Sequence, residues 1–244
     1  MASAPVADQR RLLDVQALDT RVSQLDHRRR TLPVLERIAA LDTDLADLDK
    51  ALVVSRTEAS DLRKELSKAE TDVEQVRSRA ERDQKRLDSG AVGAKDAQAL
   101  VSELESLARR QGALEEVELE VMERLEAHED ALGKLDEARS KTVAARDEAV
   151  ALRDTETATI VAELSEVQAQ RAAVVAGIDA GLLAIYDRLR GQLGGLAAAR
   201  LEGRQCGGCR MELNPTDLQV IKAAAPEQVV RCEECGRILV RDAA

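Results

Sequence analysis

Apolar residues recur along the first half of the chain in strictly alternating steps of three and four. They run through Ile38, Leu41, Leu45, Leu48, Leu52, Ser55, Ala59, Leu62, Leu66, Ala69, Val73, Val76, Ala80, Asp83 and Leu87, and thirteen of these fifteen are apolar. A repeat of 3.5 residues keeps one seam facing a partner helix, so this stretch predicts a coiled-coil arm. The segment "DSGAVGAKD", residues 88 to 96, has two glycines and no seam residue, which marks a break between helices. A second arm resumes near Ala97 with Leu100, Leu104, Leu107, Leu114, Val117, Val121, Leu125, His128, Leu132 and Leu135. The step from Val121 to Leu125 departs from strict alternation and reads as a local stutter. The seam becomes alanine-rich from about 138 to 158, and wider aliphatic spacing returns at Ile160, Leu164 and Val167.

A short turn between long helices predicts an antiparallel hairpin centred near residue 92, with Leu52 facing Leu132. About 55 residues at 1.5 Å each give an arm of roughly 80 Å. Pro33 predicts a kink or break, with Thr31 as a cap for the new start and Pro33 in its first turn. Upstream, Val15, Leu18, Val22, Leu25 and Leu32 form a separate helical face, expected to meet residues 154 to 179. "AGIDAG", residues 176 to 181, ends the second arm, and a short helix follows near 182 to 193. The expected division is a helical hairpin over 1 to 193 and a small domain over 194 to 244.

Composition supports the rods and argues against a large compact core. The chain has no Phe or Trp, a single Tyr (Tyr186), and 34% charged residues. The N-terminus lacks an apolar signal core and no stretch reaches the length of a membrane span, so a cytoplasmic protein without a membrane partner is expected. The net charge of −10 is uneven: residues 1 to 185 carry −11 and residues 186 to 244 carry +1. A polyanion would therefore meet the C-terminal end rather than the acidic arms.

All four cysteines lie in that C-terminal end as C-x2-C-x22-C-x2-C: Cys206, Cys209, Cys232 and Cys235. A two-residue gap lets both sulfurs of a pair converge on one ion, and two pairs complete a tetrahedron suited to one structural Zn2+. Gly207, Gly208 and Gly236 are expected to give the turns backbone freedom. Strand-like "LEGRQC", "QVVRC" and "RILVRD" surround a short helix after Asn214-Pro215. A segment this small and free of aromatics needs a staple. The other readings of the cysteines are a redox pair, which lacks its βαβ setting; two disulfides, which conflict with a cytosolic address; and catalytic zinc, which needs an open position. His27 and His128 have no neighbouring ligands in sequence and are assigned no site.

A second candidate surface is arginine-rich: Arg188, Arg190, Arg200, Arg204 and Arg210 around the junction of the last helix and the ribbon. Arg231, Arg237 and Arg241 could extend it, and Arg28, Arg29 and Arg30 are expected near the same end. Arginine suits phosphate. Three readings stand: solubilising residues or partners of the acidic arms, an RNA or DNA contact, or a site for an acidic protein. The ribbon has no aromatic on which a base could stack. No nucleophile–base pair or phosphate loop is evident, and neither an enzyme nor a small-molecule substrate is expected. A hairpin satisfies its own seam, although Val53 and Val54 offer unmatched apolar surface for a dimer.

The segments "LLDVQALDTRVSQLDHR", "LVSELESL", "IYDRLR" and "CGGCRMELNP…RCEECGRILV" together resemble the bacterial C4-type zinc ribbon family, over nearly the whole chain, and the Ala- and Arg-rich composition suggests an actinobacterial member. The resemblance implies a mainly α fold: a long antiparallel coiled-coil hairpin with a small C-terminal four-cysteine zinc ribbon of short β-strands. It also implies a binding protein, an adaptor or chaperone-like protein for a protein client. Some relatives are associated with an alternative sigma factor or with a flagellin messenger RNA, and no residue here specifies either.

Overall fold

The computed structural model describes residues 2 to 241. Its elements in chain order are α1 (Val6–Arg30), α2 (Pro33–Asp88), α3 (Ala94–Val175), α4 (Ala180–Gln192), β1 (Ala198–Glu202), β2 (Gln205–Cys206), α5 (Pro215–Ala223), β3 (Val230–Arg231) and β4 (Ile238–Val240). The chain is mainly α, with the strands confined to its C-terminal end. Among the described residues no helix is long and apolar enough to cross a membrane.

One compact unit spans Arg37–Ala149, the paired parts of α2 and α3. All fifteen seam positions named on α2 are buried or half-buried, with Leu52, Ala59 and Val73 among the deepest. The α3 seam needs a correction. Val117 is 48% exposed, whereas Gln111 and Glu118 are half-buried. The seam therefore runs Leu107, Gln111, Leu114, Glu118, Val121, Leu125, His128, in unbroken steps of four and three. The stutter arose from following apolarity where a polar residue holds the geometric position. Ion pairs between the arms fix the antiparallel register: Arg146–Asp42 at 2.7 Å, Arg139–Asp49 at 2.6 Å, Arg63–Glu129 at 2.6 Å and Arg79–Glu103 at 2.8 Å. They lie close to the pairing expected about a turn near residue 92. Each is exposed and screened by solvent, so they select register more than they stabilise.

The other unit joins the two ends of the chain, Met1–Glu36 and Val150–Ala244. This unit takes in residues on both sides of the expected boundary at 193/194. The reason is a shared core, in which Leu12 and Val15 of α1 pack with Leu182, Tyr186 and Leu189 of α4 and with Ala198 and Ile238 of the sheet. The sheet order is β2-β1-β4-β3, with β1 and β4 parallel and both outer pairs antiparallel. Successive strand residues face opposite sides. Thus Ala198 and Ile238 look toward α1 and α4, while Ala199 and Leu239 look toward a second core with Leu213, Leu218, Ile221 and two of the cysteines. Asn214 caps α5 by accepting from the Thr216 amide at 3.0 Å.

The break at Pro33 is present, but Thr31 plays another part. Its hydroxyl and its amide both donate to the His27 carbonyl, so it closes α1 rather than opening α2.

Candidate metal centre

Two turns carry the cysteines. In the first, the Arg210 amide donates to the Cys206 carbonyl at 2.8 Å; in the second, the Gly236 amide donates to the Cys232 carbonyl at 2.7 Å. The residue after each second cysteine turns left-handed, Arg210 at φ 59° and Gly236 at φ 73°. Gly236 thus has the expected conformational role. Gly207 and Gly208 do not, because neither has a positive φ. Close approach favours glycine at both instead: a Cβ at 207 would sit 3.0 Å from the Arg200 carbonyl oxygen, and one at 208 would sit 2.7 Å from Arg237 Cδ and displace that side chain.

These turns bring all four sulfurs within 4.8 Å of one another. Cys206 Sγ lies 3.9 Å from Cys235 Sγ, and Cys209 Sγ lies 4.0 Å from Cys232 Sγ. A tetrahedron with metal–sulfur bonds near 2.3 Å has edges of about 3.8 Å, so the thiols already stand at ligand spacing for zinc. Backbone N–H groups point at the sulfurs: those of Cys209 and Gly208 at Cys206, and those of Cys235 and Glu234 at Cys232. Burial pushes the Cys206 thiol up, and pushes Cys232 up to about 12. Burial also penalises Cys235, but hydrogen bonds from the Arg237 backbone and side chain, together with those from Cys232 and Cys209, outweigh it and bring that thiol down to about 7. Four thiolates leave no coordination position open, so the donor set suits a structural ion and not a catalytic one.

The arginines expected to form one patch are divided among different tasks. Arg237 donates to the Leu196 carbonyl at 2.8 Å and to the Cys235 sulfur, beside the metal centre. Arg190 reaches Asp19 at 3.3 Å. Arg231 Nε donates to the Gly236 carbonyl at 2.7 Å. Arg241 donates to five carbonyls, among them Ile221, Ala224 and Gln228, and so closes the C-terminal end of α5. Arg204 and Arg210 are exposed near the first cysteine turn, and Arg200 is exposed on β1. Arg188 lines a groove with Arg231. Arg28, Arg29 and Arg30 do not join them. The ribbon meets α1 at Gln9 and Gln16, and Arg28 lies twelve residues, about 18 Å, further along the helix.

Three polar residues of α1 were invisible to the apolar pattern. Gln16 accepts from the Ala197 and Ala198 amides and donates to the Gly195 carbonyl, which holds the start of β1. Gln9 donates to the Ala4, Pro226 and Glu227 carbonyls. Asp19 accepts from Tyr186 Oη at 2.8 Å and from Arg171 Nε at 2.7 Å. The one available signal was the run "QALD" among the leucines of a face that had to meet a sheet edge.

Comparisons agree with this architecture. A family model described as a CT398-like coiled coil hairpin domain matches residues 15–194, and a C4-type zinc ribbon domain matches residues 205–239. The chain is similar to the uncharacterized protein Rv2229c of Mycobacterium tuberculosis, 37% identical over 242 residues, which cover 98% of this chain and 97% of that one. It is similar to a solved Mycobacterium smegmatis protein at 33% identity and a TM-score of 0.88, over 98% of this chain and 100% of the other. CT398 of Chlamydia trachomatis shares the fold at a TM-score of 0.72 and 21% identity, over 97% and 98% of the two chains. The ribbon match contains all four cysteines, and the cofactor is one structural Zn2+.

Proposed function

From the premise that the chain belongs to the CT398-like coiled-coil hairpin family and ends in a C4-type zinc ribbon, we propose that it is a non-enzymatic adaptor that binds a protein client. The client would meet the charged outer faces of the coiled coil and the surface of the zinc-stapled ribbon, in the cytoplasm. The observation that carries this reading is the internal use of the arginines. Arg190, Arg237 and Arg241 are half-buried and hold Asp19 or backbone carbonyls, so they are poorly placed to grip a phosphate backbone. The closed four-thiolate donor set leaves the ion no open coordination position and argues against metal-centred catalysis.

A nucleic-acid role is favoured by one feature, the exposed Arg204 and Arg210 beside the ribbon turn. Affinity capture from native lysate, with and without nuclease, tests the two. A stoichiometric protein partner that survives nuclease is expected. A partner released by nuclease, together with an RNA gel shift abolished by Arg204→Glu/Arg210→Glu and weakening steeply with salt, would replace the adaptor reading with the second.

A further inference from the structure

β3 is an edge strand, because the sheet order ends with it. Just upstream of it, the same edge already accepts an extended segment: the Val229 amide donates to the Ala2 carbonyl at 3.0 Å, Ser3 forms an isolated antiparallel bridge with Gln228, and the Ala4 amide donates to the Glu227 carbonyl at 2.8 Å. On the inner side, Val230 pairs with Leu239, and the Cys232 amide donates to the Arg237 carbonyl at 2.8 Å. Alternation along a strand therefore aims the Arg231 amide and carbonyl outward, on the side of the Val229 amide. A groove of about 420 Å³ opens along this edge. Its apolar lining includes Ile185 and Val229, which pack toward the helical core, Ala224, which packs toward the ribbon core, and Val220, which is 66% exposed. Arg188 and Arg231 stand over it, and Glu233 is the one acid among the lining residues. Neither arginine forms a salt bridge among the described residues.

We infer that this groove docks an extended acidic–aliphatic segment of a protein partner. The segment's main chain would meet the Arg231 amide and carbonyl, its aliphatic side chains would meet Ile185, Val229 and Val220, and its carboxylates would face Arg188 and Arg231. Main-chain pairing on an exposed sheet edge supplies affinity, and alternate side chains supply selectivity. The charge balance of the lining favours an acidic strand over a basic one. The inference rests on the protein-binding reading above and names its surface.

The test uses the full-length, zinc-loaded protein and a pool of short fluorescent peptides alternating Asp or Glu with Leu, Ile or Val, read by anisotropy. Saturable binding is expected, weakened about tenfold or more by Arg188→Glu and by Val220→Asp, and unchanged by Arg204→Glu. Arg188 and Val220 are both exposed, and zinc stoichiometry with the tyrosine near-UV signal verifies that each variant is folded. Absence of binding across the pool, binding indifferent to both substitutions, or preference for the lysine counterparts or an RNA oligonucleotide would each overturn the inference. If Arg188→Glu leaves a nuclease-resistant partner captured while the peptides fail, the groove is wrong and the adaptor reading stands. If capture also fails in the unaltered protein, the adaptor reading itself falls.

Discussion

Asp19 is almost fully enclosed, with 2% of its side chain exposed, and it is matched by Tyr186 Oη and by the guanidiniums of Arg171 and Arg190. A buried carboxylate so surrounded is costly to disturb, because removing it leaves cations and a hydroxyl unmatched. Asp19→Asn should therefore lower the stability of this unit by about 3 kcal/mol, read by urea denaturation followed through the tyrosine signal. Tyr186 adds a pH dependence. Burial first, and the bond to Asp19 second, raise its pKa above the ordinary value. The folded state thus holds the phenolic proton more tightly than the unfolded chain. The contribution is complete below about pH 10 and is lost as pH rises beyond it, where the unfolded chain ionises first. Tyr186→Phe should cost about 1 kcal/mol near neutrality and show a shallower alkaline loss than the unaltered protein. An equally steep loss in the variant would assign the alkaline sensitivity to another group.

Among the elements, the coiled coil was the most legible, because a 3.5-residue repeat is written directly into residue type. The seam on α2 could be read from Ile38 to Leu87 without error of phase. On α3 the same reading failed at Val117 and Glu118, since burial there follows the geometry of the preceding turns and not the hydropathy of the side chain. α1 was harder still: its inward face alternates apolar residues with Gln9, Gln16 and Asp19, which are explained only by the positions of the 226–227 carbonyls, the start of β1, and Arg171 and Tyr186 of α3 and α4. The cysteine spacing disclosed the metal centre, yet Arg237 beside Cys235 could not be told from a phosphate-binding arginine without the fold. One seam layer carries a prediction. Ser55 is buried, its Oγ lies 3.5 Å from His128 Nδ1, and His128 Nε2 lies 3.1 Å from Glu58. A polar layer of this kind specifies register at a cost in stability. Ser55→Ala/His128→Leu should raise the thermal midpoint of the hairpin, by about 1 kcal/mol in stability, and reduce the selectivity of disulfide trapping between facing positions. A lowered midpoint would mean that the layer stabilises rather than specifies.

At the scale of the whole chain, the ribbon is not an appendage resting only on a core of its own, because it also shares one with the helices. β1 and β4 place Ala198 and Ile238 against α1 and α4, and place Ala199 and Leu239 against α5 and the cysteines. One two-faced sheet therefore couples the zinc site to helices drawn from both ends of the sequence. The sheet is short, with strands of five, two, two and three residues, and without the ion it cannot bury enough surface to hold its order. Tyr186, the sole aromatic, lies fully buried on the helical face of that coupling and reports it directly. Removing zinc with a strong chelator should abolish the near-UV signal of Tyr186, although no ligand sulfur belongs to its core cluster. Far-UV helicity should fall only in part, because residues 37 to 149 bury their seam without the ribbon. Adding back zinc, but not magnesium, should restore the tyrosine signal, since four sulfurs select a soft ion over an oxygen-seeking one. A tyrosine signal that survives complete metal removal would show the helical base to be self-sufficient and the zinc to staple only the cysteine turns.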